Sequence, residues 1–192
     1  KGEGLFYRTG LDRQGAKLLP CPHNARGKRC RRKGANHMGM GILVCGLNGA
    51  GKSTLGRALA ERLGFYFLDV EDLFFPKTDP SYLYASPRTK SEVERLLLLE
   101  IQAHENFVFS SVTGKYGDAV LPYFQYAVLI DVPKEIRMQR VRERSFRKFG
   151  SRMLPGGDLY EEERRFLDEV ASKPEDLVES WAQCLRCPLL RV

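Results

Sequence analysis

From residue 41 onward, apolar positions divide the chain into short, well-punctuated segments. Ile42-Leu43-Val44-Cys45 is a continuous apolar run, the pattern of a strand buried on both faces. After a glycine-rich turn, Leu55, Leu59 and Leu63 recur at helical spacing, predicting a helix over 52–63 that Gly64 ends as a C-cap. Phe65–Leu68 predicts a second strand. Residues 70–88, aromatic and proline-containing, predict an irregular or partly helical insertion. Ser91 with Glu94 three residues on has the form of a capping box, opening a helix to about His104. Phe107–Ser110 and Tyr126–Ile130 predict the third and fourth strands. Pro133 suits the start of a helix running to about Lys148. A Gly- and Pro-rich stretch over 149–158 precedes two helices, over 158–171 and 175–184, and Pro188–Val192 is a last short apolar run.

Alternation of strand and helix predicts an α/β fold in three layers, a parallel five-stranded sheet with helices on both faces, over residues 38–192. Such sheets bind ligands at the carboxyl ends of their strands. That places the candidate chemistry in Gly46–Ser53, Asp69–Asp72, Ser110–Lys115 and Asp131–Pro133.

Composition narrows the class. The 192 residues suffice for one domain with a real core, and 43% hydrophobic with 29% charged excludes a disordered or collagen-like chain. No apolar run approaches the ~20 residues of a membrane span. Five scattered cysteines do not make a disulfide scaffold, so a reduced, cytoplasmic compartment is expected. The net charge of +7 is uneven: residues 1–37 hold ten Lys/Arg against two Asp/Glu, the remainder 21 against 22. The basic character belongs to the leader, and the nearly neutral body gives no general phosphate-backbone footprint. The leader lacks sustained periodicity and a secretory apolar core. It reads as a disordered basic tail or as sequence upstream of the true start, since Met38 and Met40 stand just before the first strand. A nucleic-acid arm, a targeting peptide, and a metal knuckle of Cys21, His23, Cys30 and His37 are its functional alternatives.

Gly46-Leu47-Asn48-Gly49-Ala50-Gly51-Lys52-Ser53 fits G-x-x-x-x-G-K-[ST], between an apolar strand and a helix. Glycines let successive N–H groups face phosphate oxygens, and the helix N-terminus adds its positive dipole end. Lys52 is expected to reach the β/γ-phosphates and Ser53 to ligate Mg²⁺. A carboxylate at the mouth of strand two, Asp69 above all, faces this loop as a water-mediated metal ligand or base, or else merely caps the next helix. Arg140 and Arg144 share one helix face.

The stretch Ile42–Asp72 resembles the small P-loop kinases, the adenylate, shikimate and gluconate kinase relatives. The P-loop, Thr54-Leu55 after it, and Leu63–Asp72 carry the resemblance. It implies an ATP-binding P-loop domain using Mg²⁺. In shikimate-kinase-like members the second strand ends in Asp-x-Asp, one carboxylate holding Mg²⁺ through water and the next the acceptor hydroxyl. The match here is Asp69-Val70-Glu71, with Asp72 the rival of Glu71. Val128–Pro133 and the helix after it are similar to the same group, whose R-x-x-x-R implies adenine stacking for Arg140 and phosphate contact for Arg144. Arg137, Arg147 and Arg152 are weaker candidates. Phe149–Asp158 is a candidate short lid.

The resemblance stops at the acceptor. Ser110-Ser111-Val112-Thr113-Gly114-Lys115 replaces both the triple glycine of shikimate kinases and the Gly-Phe-Pro-Arg-like turn of nucleoside monophosphate kinases. No clear Asp follows strand three, so a conventional Walker B carboxylate is missing and Asp69 has to serve. Lys115, Arg88 and Arg95 can bind an anionic acceptor or be surface charge, and Tyr82 and Tyr84 lie in the insertion. The group usually continues into a closing helix, so an end at Val192 implies C-terminal truncation. Cys184-Leu185-Arg186-Cys187, His104 and Trp181 are expected to pack. The expected function is phosphoryl transfer from Mg·ATP to a small acceptor, with Lys52, Asp69, Glu71 and Arg144 catalytic. The alternatives are an ATPase or switch without a small acceptor, and a basic-arm nucleic-acid binder.

Overall fold

The computed structural model describes residues 39–192. The leader and its alternative readings therefore lie outside the described residues. The elements are β1 (Gly41–Cys45), α1 (Lys52–Leu63), β2 (Tyr66–Asp69), α2 (Val70–Phe74), α3 (Lys90–Ala103), β3 (Phe107–Ser111), β4 (Phe124–Leu129), α4 (Lys134–Phe149), α5 (Tyr160–Ser172), α6 (Leu177–Ala182) and β5 (Leu189–Arg191). Short 3-10 turns occupy Leu121–Tyr123 and Gly150–Met153. All strand pairs are parallel, in the order β2-β3-β1-β4-β5. This is the five-stranded parallel sheet expected, and it puts β1 and its glycine-rich loop at the centre.

Strand geometry sends alternate β1 side chains to opposite faces. Leu43 and Cys45 join Val93, Leu97 and Ile101 of α3 and Val178 and Ala182 of α6. Ile42 and Val44 join Leu59 and Ala60 of α1. Sequence-distant helices thus clamp one strand from both sides and fix the loop it feeds. Helix α1 lies close against the sheet because Gly56 has no side chain: a Cβ there would come 2.2 Å from Ser110 Oγ. The Ser110 hydroxyl donates to the Lys52 carbonyl at 3.1 Å, pinning the start of α1 to the end of β3. Met138, Val141 and Val170 join α4 to α5.

Several boundaries differ from expectation. The capping box of α3 is Thr89 with Glu92, not Ser91 with Glu94; the Thr89 N–H donates to the Glu92 carboxylate at 2.8 Å. Thr89 is still extended after Pro87, whereas Ser91 is already helical, and Glu94 lies against Gly117 instead. Pro133 is the N-cap of α4 rather than its first helical residue. β4 begins at Phe124, two residues before the expected start, supported by pairing with β1. The insertion opens with the short α2, capped by Asp69, whose Oδ1 accepts the Glu71 N–H at 3.0 Å.

Candidate active site

The loop from Gly46 to Gly51 turns through three positive-φ glycines, at 151°, 83° and 100° for Gly46, Gly49 and Gly51. Gly49 is doubly constrained, because a Cβ would also meet the Arg137 carbonyl oxygen at 2.3 Å. Its sequel is a 12-residue helix with no side-chain cap and no acidic residue in its first turn. Free amide donors and the positive dipole end therefore face the loop mouth together. The Lys52 ammonium donates to the Leu47 carbonyl at 3.1 Å. Burial pulls its pKa down to about 8, opposed by Asp69 and assisted by Arg144 and Lys173. An under-neutralised lysine beside an uncapped helix start suits a polyphosphate. The Ser53 hydroxyl and Asp69 carboxylate are hard oxygen donors, the type of ligand that Mg²⁺ takes.

The site residues predicted on other elements converge unequally. Asp69 both caps α2 and exerts its charge on Lys52. The Glu71 carboxylate accepts the Tyr84 hydroxyl at 3.1 Å, while Asp72 pairs with Lys77 on the surface. Glu71 and its rival thus point to different surroundings. Arg140 Nη1 reaches the Gly49 carbonyl at 3.5 Å. Arg144, one turn on, is close enough to act electrostatically on Lys52, Tyr84 and Lys148. Thr54 is exposed, and Asn48 accepts a hydrogen bond from Lys173 at 3.1 Å.

The weaker candidates separate by geometry. Arg137 is a structural buttress, 3% exposed, bonded to the Val132 carbonyl at 2.8 Å and to Glu175 at 2.6 Å. Arg152 pairs with Asp158 at 2.6 Å and reaches the Ser81 carbonyl at 2.7 Å, tying the candidate lid to the insertion. Arg88 donates to the Leu73 carbonyl, and Lys115, Arg95 and Arg147 are exposed. Cys184 is exposed and Cys187 packs against the core. No cluster of three or more His, Cys, Asp or Glu suited to a metal occurs among the described residues. Trp181 lies against Gly114, and His104 stacks on Tyr66.

Sequence reasoning missed how the insertion is held. Tyr82 and Tyr84 meet edge to face and both contact Phe149 at the end of α4. The Lys148 ammonium lies 4.7 Å above the Tyr84 ring and also bonds its hydroxyl. The Tyr82 hydroxyl donates to Glu163 at 3.2 Å, a carboxylate 2% exposed on α5. Burial and Glu163 push the Tyr82 phenol up to about 12, and burial and Glu71 raise Tyr84 as well. Both remain neutral donors. Only the aromatic character of the insertion signalled this cluster. Lys173 had no signal at all.

Residues 42–150 match the family described as AAA domain. The uncharacterized protein YqaC of Bacillus subtilis (strain 168) is 31% identical over 161 residues, covering 79% of this chain and 86% of that protein. The shikimate kinase of Gloeobacter violaceus is 30% identical over 134 residues, 64% of this chain and 71% of that enzyme. The chain belongs to the AAA-domain family and is a P-loop kinase of the shikimate kinase type. A solved gluconokinase from Sinorhizobium meliloti 1021 overlays with TM-score 0.44 at 18% identity, covering 80% of this chain and 81% of that one. Nucleotide-dependent phosphoryl transfer is the general chemistry supported for the P-loop kinase. No helix among the described residues is long and apolar enough to cross a membrane.

Proposed function

We propose that the chain transfers the γ-phosphoryl group of Mg·ATP to a hydroxyl of a small-molecule acceptor bound between the P-loop and the residue 70–88 insertion. The observation that carries this reading is the three-glycine turn of the P-loop, with the Lys52 ammonium folded onto it and Arg140 of α4 reaching the Gly49 carbonyl. An acceptor-using kinase needs a carboxylate in a shaped pocket, and Glu71, the residue after next from Asp69, faces the tyrosine-rich insertion.

Mg·ATP supplies the electrophilic phosphorus and a charge-neutralising cation when bound. The residues then divide the work. The P-loop amides and Lys52 hold the phosphates, and Arg140 binds on the nucleotide side. Ser53 and Asp69 provide the metal's protein oxygens. Lys52 and Arg144 offset charge on the transferring oxygens. Asp69 or Glu71 orients the acceptor hydroxyl and takes its proton as oxygen bonds to phosphorus and ADP leaves. Tyr84 holds Glu71 in place. The aromatic contacts of Phe149 with the insertion exclude water that would otherwise consume ATP.

The test is ADP release from Mg·ATP, with and without a pooled metabolite extract, beside Lys52→Ala. The reading predicts extract-stimulated release that Lys52→Ala reduces by about 10²-fold or more. Extract-independent release of equal rate would favour the switch.

A further inference from the structure

A second lysine meets the phosphate loop from a part of the chain that carries no nucleotide-binding motif. Lys173 caps the C-terminus of α5, and Pro174 holds it extended at ψ 130°. Its ammonium donates to Asn48 Oδ1 at 3.1 Å and pairs with Glu169 at 3.3 Å. Asn48 is the third residue of the P-loop, ahead of the glycine turn into α1. The lysine side chain is only 24% exposed, whereas its Glu169 partner is 69% exposed. An ion pair to so solvated a carboxylate is readily exchanged for a better anion.

The anchoring of the segment is independent of the ammonium. Two residues on, Glu175 bonds the buried Arg137 at 2.6 Å. The Arg137 backbone lies directly behind Gly49, leaving no room for a Cβ. Lys173 is therefore held against the P-loop by a rigid support and is not a surface lysine that happens to bend inward. Its charge reaches Lys52. Two ammonium groups held near each other favour an anion between or beside them. The asparagine amide oxygen neutralises neither.

We propose that Lys173 is a phosphate-binding residue of the nucleotide site, exchanging Asn48 and Glu169 for the terminal phosphate and so distinguishing a nucleoside triphosphate from a diphosphate. The inference rests on the proposed nucleotide-dependent function and adds a cation from outside the lid. Asn48 acts as a placeholder that keeps the ammonium aimed at the loop in the free chain.

The experiment is calorimetric titration of the full chain with Mg·ADP and with Mg·β,γ-imido-ATP, for wild type, Lys173→Met and Lys173→Arg. Thermal melts without nucleotide accompany each titration. Lys173→Met is expected to weaken the triphosphate analogue about tenfold and ADP less than about twofold, as a lost charge-assisted contact should. Lys173→Arg is expected to restore most of the difference, and the nucleotide-free melts should agree within about 2 °C. Equal losses for both nucleotides, no loss for either, or a large fall in the nucleotide-free melt would overturn the inference and leave the kinase reading intact. Failure of wild type to bind either nucleotide would remove both.

Discussion

Lys52 concentrates the physical chemistry of this protein in one side chain. Its ammonium is partly buried beside two other cations, and Asp69 is the main group that opposes them. With a folded pKa of about 8 against an ordinary 10.5, the folded state binds fewer protons than the unfolded chain between those values. Stability of the nucleotide-free protein should therefore rise from about pH 8 toward about pH 9. Burial pushes the Cys45 thiol up to about 12, so it opposes the rise from about pH 9, where unfolded thiols ionise, and the raised tyrosines add to this near pH 10 and above. Denaturant melts across that window should show the rise in wild type and its loss in Lys52→Met; an equal slope in both would refute the assignment. Arg140 and Arg144 should separate kinetically. Arg140→Ala is expected to weaken ATP binding about tenfold with kcat nearly unchanged, and Arg144→Ala to lower kcat. Unchanged nucleotide affinity in Arg140→Ala would defeat its assignment to the nucleotide. Tyr84→Phe tests the hold on Glu71: kcat with a saturating acceptor should fall several-fold while ATP affinity stays constant.

At the scale of elements, the contact between loop and helix is limited by space. Gly49 needs both a left-handed backbone and clearance from Arg137, so Gly49→Ala should destabilise the fold by about 1–3 kcal/mol. Gly56→Ala should also destabilise it, since its methyl group would displace Ser110 from the Lys52 carbonyl. Equilibrium unfolding checks both, and wild-type stability in either would contradict the packing. The β1–P-loop–α1 unit was legible in the sequence because its determinants are local: an apolar run, fixed glycine spacing and a leucine stripe ending at Gly64. The α3 cap was misplaced because Thr89–Glu92 and Ser91–Glu94 fit the same local pattern, and the helix starts at Lys90, which leaves Thr89 extended as the cap. Lys173, Glu163 and the Tyr84–Lys148 contact were not legible. Each depends on residues between 64 and 125 positions apart meeting across the mouth of the sheet.

For the whole molecule, the order β2-β3-β1-β4-β5 brings three chain segments together at the carboxyl ends of the strands. β1 delivers the phosphate loop, β2 the carboxylates, and α4, entered from β4, the arginines. Ser110 at the end of β3 supports this arrangement mechanically, pinning α1 where a metal-binding aspartate is missing. The core beneath is shared by α3 and α6, and Leu97→Ala should cost about 2–5 kcal/mol. Because this core also backs β1 and fixes the loop it feeds, Leu97→Ala should also weaken nucleotide binding by the folded protein.

The most direct test of the central claim follows the label from γ-³²P-ATP during incubation with the full chain and a metabolite pool. Label is expected to move to an organic phosphoester in a pool-dependent manner, and Lys52→Ala is expected to abolish the transfer. Label appearing solely as inorganic phosphate, at a rate indifferent to the pool, would contradict the claim.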